Sequence, residues 1–337
     1  VLSKDDQQAL LAWYDEHQRD LPWRLSNDPW AILLSEILLQ QTQVSRGLVY
    51  WKRMVKTFPT IASMAQAPVD AVLKAWEGAG YYSRARRLHA LSQQVMLPKA
   101  EGGFDGQLPS TYGDLLSLPG IGPYTAAAVA SIAFGQSVAC VDGNIRRVMA
   151  RRTAQADPTS KQVQAWADTV LHAARPGDWN QALMELGATV CTPKRWNCGG
   201  CPIRASCVGK ENPGAFPTPK KQRVTSLNLV AVVEFALDGH PVLHQRPMTG
   251  IFAGLWGPVY HEDAPGGLKG LVNCGTVHHQ LSHRNIEVQV HLKSHDLATH
   301  GTPRSGVALS ALDEKVLNLA SEYTTTNPHL LNSEAKG

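Results

Sequence analysis

No run of 18 consecutive apolar residues occurs anywhere in the 337-residue chain, which excludes a membrane-spanning helix. Strong charge of either sign is missing too. The 32 lysines and arginines offset 28 acidic residues, leaving a net charge of +4. A nucleic-acid site, if present, must therefore be a local basic patch, not a global field. Cysteine is scarce: there are six, and four fall within residues 191–207. A secreted disulfide framework would spread them out, so a metal site in a reducing cytoplasm is the better reading. An export signal is absent from VLSKDDQQALLAWYDEH, which carries charge where a signal peptide has an apolar centre. That stretch reads instead as an amphipathic helix burying Leu10, Leu11, Trp13 and Tyr14.

What is present suggests two domains. The length exceeds one typical domain, and 43% hydrophobic residues can fill real cores. Period-two alternation is missing from residues 50–135, where breaks at Phe58-Pro59-Thr60, Ala67-Pro68, Gly78-Ala79-Gly80 and Gly102-Gly103 separate short helical stretches. Residues 209–226, rich in Pro, Gly and Lys, read as a linker. Beyond it, LNLVAVVEFALDGHPVLHQRP reads as two strands joined by an Asp238-Gly239 turn. Residues 285–294 alternate as a strand does, so the C-terminal part, 227–330, is expected to be α+β. The polar tail from Thr324 is expected to fray.

Five stretches carry chemistry. Residues 115–144 read as helix, tight turn, helix and aspartate loop. Pro119-Gly120-Ile121-Gly122 makes the turn, and Pro123 suits the first position of the next helix. The amides of Gly120 and Gly122, with the helix N-terminus, would form a cup for one phosphate. An ordinary helical hairpin is the competing reading. In WAILLSEILLQQTQV, the helical neighbours of Glu36 are Ile32, Leu33, Leu39 and Gln40. A carboxyl so placed should have a raised pKa, as a general acid near neutrality needs. The same helix ends in Gln40-Gln41-Thr42-Gln43, an uncharged hydrogen-bonding cluster that suits insertion into a groove. Tyr81-Tyr82 beside Arg84, Arg86 and Arg87 suits base stacking with phosphate contact. Cys191, Cys198, Cys201 and Cys207 offer four thiolates at 6-2-5 spacing, suited to Zn²⁺ or to a [4Fe–4S] cluster. Cys140 and Cys274 stand apart as packing residues.

Taken in order, Glu36 in SEILLQQTQV, the hairpin PGIGPYT, Asp142 in VDGNIRRV and the four cysteines resemble the adenine DNA glycosylase (MutY) family within the endonuclease III-like superfamily. The resemblance is close over residues 1–208 and weaker over the C-terminal sheet, which is similar to that family's Nudix-like lesion-recognition domain. It implies a mainly α helix-hairpin-helix DNA glycosylase domain with an iron–sulfur loop at 191–207, then an α+β domain. The implied activity is excision of adenine mispaired with 8-oxoguanine or guanine in double-stranded DNA, after the nucleotide is flipped from the stack. Glu36 would protonate adenine, and Asp142 would act on the sugar cation as electrostatic stabiliser or as nucleophile. Tyr124 and Asn144 would shape that pocket. Arg24 and Glu185 match positions that hold the flipped base. Gln41 and Tyr81, with Gln40 and Thr42 beside the former, match the side chains that fill the vacated stack. Leu281-Ser282-His283 stands at the family's 8-oxoguanine-reading motif, with Ser282 and His283 as its polar members. The resemblance also resolves the cysteine spacing toward a [4Fe–4S] cluster, and implies a monomer acting on nucleoid DNA in a bacterial-type cytoplasm.

One position separates the family from its lyase cousins, and three further positions depart from the family's pattern. Tyr124 occupies the hairpin position where the lyase branch carries lysine. A phenol cannot form a Schiff base, so a monofunctional enzyme is implied. Leu281 replaces a phenylalanine, Ala79 a leucine, and Trp256-Gly257-Pro258 departs from the usual ending of its segment. The glutamate-rich Nudix hydrolase box is absent from residues 227–337, so nucleotide hydrolysis is not expected there.

Overall fold

Ser3 and Asp6 exchange hydrogen bonds in a capping box, which starts helix α1 (Lys4–His17). In the computed structural model, residues 2–219, 224–262, 270–294 and 297–328 are described. The chain divides into two units by its contacts: Val1–Gln66 with Arg87–Lys220, and Ala67–Arg86 with Lys221–Gly337.

The first unit is helical. After α1 come α2 (Pro29–Leu38), α3 (Val44–Thr57) and α4 (Ile61–Gln66). Asp28 caps α2 by accepting the Trp30 amide, with Pro29 at its first position. Helices α5 (Val69–Trp76) and the start of α6 (Ser83–Met96) belong to the other unit, and the rest of α6 returns to this one. Then follow α7 (Tyr112–Leu116), α8 (Pro123–Phe134), α9 (Gly143–Thr153), α10 (Ser160–Val170) and α11 (Pro176–Thr189). The α7–α8 turn is tight because Gly120 adopts φ +79°, and a Cβ there would lie 2.7 Å from the Arg87 Cβ. Alanines 126–128 on α8 let neighbouring helices approach closely. Ala127 and Ala128 join a core of Leu10, Tyr14, Ile145, Trp179, Leu183 and Leu186. No helix among the described residues is long and apolar enough to cross a membrane.

The second unit is a mixed sheet backed by a helix. Strand β1 (Thr225–Glu234) is followed by β2 (His244–Gln245), β3 (Trp256–Gly257), β4 (Val259–His261), β5 (Leu271–Gln280) and β6 (Arg284–Lys293). The main sheet has the order β4-β1-β6-β5. Its central pair β1–β6 is parallel, in register Leu229↔Val288, and its outer pairs are antiparallel. Ile286, Val288, Val290 and Leu292 share one face, as period-two patterning requires. They pack on Leu312, Val316, Leu317 and Ala320 of α12 (Ala311–Thr326), which a Ser310–Asp313 capping box starts.

Three particulars depart from the sequence reading. Among the described residues a single bridge, Phe235↔Pro241, spans the Asp238-Gly239 turn, and the second strand shrinks to β2. Pro241 has no N–H to extend the ladder. Within the 209–226 stretch Thr218 donates to the Ala156 carbonyl at 2.8 Å, Thr225 and Ser226 already lie in β1, and residues 220–223 fall outside the described residues. Residues 67–86, read as part of the first domain, pack in the second unit. There Lys74 Nζ donates to the Val307 carbonyl at 2.8 Å, and Glu77 Oε1 accepts the Leu309 amide at 2.9 Å. At the C-terminal end, α12 remains helical to Thr326, and the tail from 329 lies outside the described residues.

Candidate active site

Helices α2, α8, α9 and α11 surround a cleft of about 700 Å³ in the helical unit, within the range of small-ligand sites. Glu36, Tyr124, Asp142 and Asn144 line it, and so do Arg24 and Glu185. Gln40, Gln41, Thr42, Gly120 and Gly122 contribute to its walls as well. Every helical-unit residue singled out for base or sugar chemistry thus converges on one space.

Glu36 is 7% exposed on a helix whose other side chains are apolar or small. Burial is the largest influence on its carboxyl and pushes it up to about 7. A hydrogen bond from Tyr124 opposes that rise, the charge of Asp142 reinforces it, and Arg24 opposes it more weakly. The Tyr124 hydroxyl donates to Glu36 Oε2 at 2.6 Å and touches Met184 Sδ at 3.3 Å. Burial, followed by the Glu36 charge, lifts the phenol well above its ordinary range, so it stays neutral. Oε1 of Glu36 has no hydrogen bond among the described residues and remains available to a ligand.

Asp142 is the N-cap of α9. Its Oδ1 accepts the Ile145 amide at 2.7 Å, and its Oδ2 accepts Asn144 Nδ2 at 2.7 Å. Burial raises its pKa, against the pull of those donors. Asn144 is itself held from behind: Arg147 Nη2 donates to its Oδ1 at 2.8 Å, while Arg147 Nε donates to the Cys191 carbonyl at 2.8 Å. Hydrogen bonds therefore run from Asp142 through two side chains to the first cysteine of the loop.

Glu185, singled out in the sequence only through the family resemblance, is fully buried at the cleft wall. Arg19 grips it with Nε and Nη2 at 2.6 and 2.8 Å, and Arg24 Nη2 adds a bond at 2.7 Å. Burial pulls its pKa up, but the two guanidiniums outweigh that and hold it ionised, below its usual range. Arg19 is a site residue that the sequence reading missed. It lies in a loop 166 residues from its partner, with no local signal. On the opposite wall, Gln40 Nε2 donates to Thr125 Oγ1 of α8 at 3.1 Å. Gln41 sits at φ +57°, an uncommon backbone for a residue with a side chain.

The residues expected to read the lesion belong to the sheet unit. Tyr81 is 41% exposed and also left-handed, at φ +48°. Its hydroxyl lies 2.6 Å from Ser282 Oγ, which is 3.3 Å from His283 Nδ1. Tyr81, Ser282 and His283 thus form one surface group, although 201 residues separate the first two. Leu281 turns inward and packs against the sheet core. Gly257 has a steric reason: a Cβ there would lie 2.2 Å from Arg246 and 2.6 Å from Asp313, which pair in the interior.

Cys191, Cys198, Cys201 and Cys207 line one further cavity with Arg151 and Trp196, and none is in a disulfide. Burial pushes the Cys201 thiol to about 11 and raises that of Cys207, so thiolates there require a compensating cation. No group of three or more His, Cys, Asp or Glu among the described residues is arranged for a single metal ion. The cavity lining offers four cysteines and neither a histidine nor a carboxylate, a donor set that suits Zn²⁺ or an iron–sulfur cluster.

Comparison with known proteins agrees with this architecture. Residues 34–171 match the HhH-GPD superfamily of base excision DNA repair proteins. A rat adenine DNA glycosylase is 36% identical across 88% of this chain and 71% of its own length. A human adenine DNA glycosylase is 45% identical across 72% of this chain, which spans 44% of that longer protein. Among solved structures, a thermostable thymine-DNA glycosylase superposes with a TM-score of 0.56 at 28% identity, covering 61% of this chain and 94% of its own. An endonuclease III trapped covalently on DNA gives a TM-score of 0.54 at 20% identity, covering 63% of this chain and 98% of its own, a likeness of fold.

Proposed function

Because the chain belongs to the adenine DNA glycosylase family, we propose that it excises adenine mispaired with 8-oxoguanine or guanine from double-stranded DNA. The observation that carries the reading is Glu36: a carboxyl at about 7, hydrogen-bonded to a neutral phenol, in a nucleoside-sized cleft with a second carboxylate. An adenosine drawn out of the stack would meet Glu36 through Oε1. Glu36 gives its proton to N7 of adenine as the C1′–N9 bond breaks, so the base leaves neutral. The sugar is left as an oxocarbenium ion, which ionised Asp142 faces, as stabiliser or nucleophile. Water then adds to C1′, and its proton returns to Glu36. Tyr124 fixes the orientation of Glu36, and its phenol supplies no amine for strand cleavage.

Arg24, held by Glu185, would present donors to the base, with the pair pre-organised before DNA arrives. Gln41 would enter the vacated stack, with Gln40 and Thr42 bracing it. Gly120 and Gly122 would cradle a backbone phosphate. Tyr81, Ser282 and His283 would read the opposing purine. Cys191, Cys198, Cys201 and Cys207 would hold a [4Fe–4S] cluster, which when bound orders the loop that carries it.

Single-turnover base release on A:8-oxoguanine, A:G and A:T duplexes tests the reading. The native chain should act on the first two and spare the third. Glu36→Gln should bind lesion DNA and release adenine about 10²- to 10⁴-fold more slowly. No alkali-labile site on either mispair, or retained turnover by Glu36→Gln, would refute it. Efficient borohydride cross-linking to oxidised-pyrimidine DNA would instead indicate a lyase.

A further inference from the structure

Arg151, on α9 beside the cysteine loop, is only 4% exposed, yet no carboxylate among the described residues pairs with it. Its neighbour Arg152, by contrast, reaches Asp6 at 3.4 Å. A buried guanidinium is costly unless opposite charge compensates it. Its hydrogen bonds go to neutral carbonyls: Nη1 to Cys191 and Thr192 at 3.1 and 2.8 Å, Nη2 to Pro193 at 3.4 Å, and Nε to Pro213 and Phe216 at 2.9 and 3.0 Å. One donor has a different target. Nη1 also points at Cys191 Sγ, 3.3 Å away. At the other end of the loop, the Arg151 carbonyl accepts the Cys207 thiol at 3.5 Å. Trp196 covers the guanidinium, its ring centroid 5.1 Å from Cζ.

Arg151 therefore touches the first and last cysteines of the set. It carries a buried positive charge, and the nearest groups able to become anionic are the thiols themselves. We infer that Arg151 is the counter-charge of the metal–sulfur centre held by Cys191, Cys198, Cys201 and Cys207, and that its N–H bond to Cys191 Sγ sets the reduction potential of that centre. The inference rests on the [4Fe–4S] reading above. Four thiolates around such a cluster leave a net negative assembly, and an added electron deepens that charge. A buried cation and an N–H···S bond stabilise the reduced form more than the oxidised one, so both raise the potential. Lysine cannot replace the guanidinium fully. An ammonium has three donors and no planar fork, and cannot serve the carbonyls and the sulfur together.

The test uses the full chain in four forms: native, Arg151→Lys, Arg151→Gln, and Lys194→Gln as a control that removes one exposed charge from the same loop. Iron and acid-labile sulfide per chain, visible absorbance and the midpoint potential on an electrode are measured for each. Arg151→Gln should shift the one-electron equilibrium toward the oxidised form by tenfold or more, about 59 mV per tenfold. Arg151→Lys should shift it in the same direction by less, and Lys194→Gln should leave it unchanged. Potentials equal to the native value in both Arg151 variants would overturn the inference, as would an equal shift in Lys194→Gln. If Arg151→Gln fails to load iron, Arg151→Lys decides by the same criterion. A native chain that binds zinc and no iron refutes the cluster reading itself, whereas an iron-loaded native chain with unmoved variants refutes only the role of Arg151.

Discussion

The cleft and the cysteine loop are opposite cases of one electrostatic condition. In the cleft, buried Glu36 and partly buried Asp142 form no ion pair among the described residues, and desolvation raises both pKa values. At the loop, Arg151 is a buried cation and Arg147 a half-buried one, neither with an ion-paired carboxylate among the described residues. Each region is short of the charge that a ligand would bring. The cleft accommodates a proton and a developing sugar cation, and the loop an anionic cluster. Helix α9 bears both, with Asp142 at its N-cap and Arg147 and Arg151 further along. The contrast teaches that a buried charge without a partner marks the place where a ligand completes the structure.

The sharpest way to break this comparison is to remove the acid. Glu36→Gln should lower single-turnover adenine release by about 10²- to 10⁴-fold, the usual contribution of a general acid, with lesion-DNA binding retained in a gel-shift assay. A loss under tenfold would mean that the shortage of charge in the cleft has no catalytic meaning. Next in size is the one cleft acid that is compensated. Glu185→Gln leaves Arg19 and Arg24 beside an uncharged partner and should cost about 3–5 kcal/mol of stability, read by denaturant unfolding. A smaller effect has the opposite sign. Burial lifts the Glu36 carboxyl from its ordinary 4.5 to about 7 in the folded state. The folded state therefore binds the extra proton between those values, and stability falls as pH rises from about 4.5 to 7. Glu36→Gln removes that penalty and should raise stability at pH 8 by up to about 3 kcal/mol, with no gain at pH 4. Unequal thermal shifts at the two pH values would support this, and equal ones would count against it. The smallest effect is at the surface: Tyr81→Phe removes the bond to Ser282 and should change selectivity for the opposing purine by under about fivefold, since exposed hydrogen bonds contribute about 1 kcal/mol or less.

Much of the cleft is legible in the chain because its signals are local. The apolar neighbours of Glu36 sit three and four positions away, the helix-hairpin-helix turn needs Gly120, and Asp142 caps the helix that follows it. What escapes is tertiary. Arg19 acquires meaning only when α11 brings Glu185 to it. Residues 67–86 read as one more helical stretch of the first domain, yet Lys74 and Glu77 bind main chain more than 200 residues away. The bond between Tyr81 and Ser282 depends on that relocation. Arg151 appears in the sequence as half of an arginine pair, and only tertiary partners distinguish the two buried side chains: Arg152 finds Asp6, whereas Arg151 finds carbonyls and the Cys191 sulfur.

The most direct test of the account is the pH dependence of single-turnover adenine release from an A:8-oxoguanine duplex. Glu36 acts protonated, so the rate should fall as pH climbs through about 7. A rate that holds level or rises across that range would contradict a buried acid at position 36.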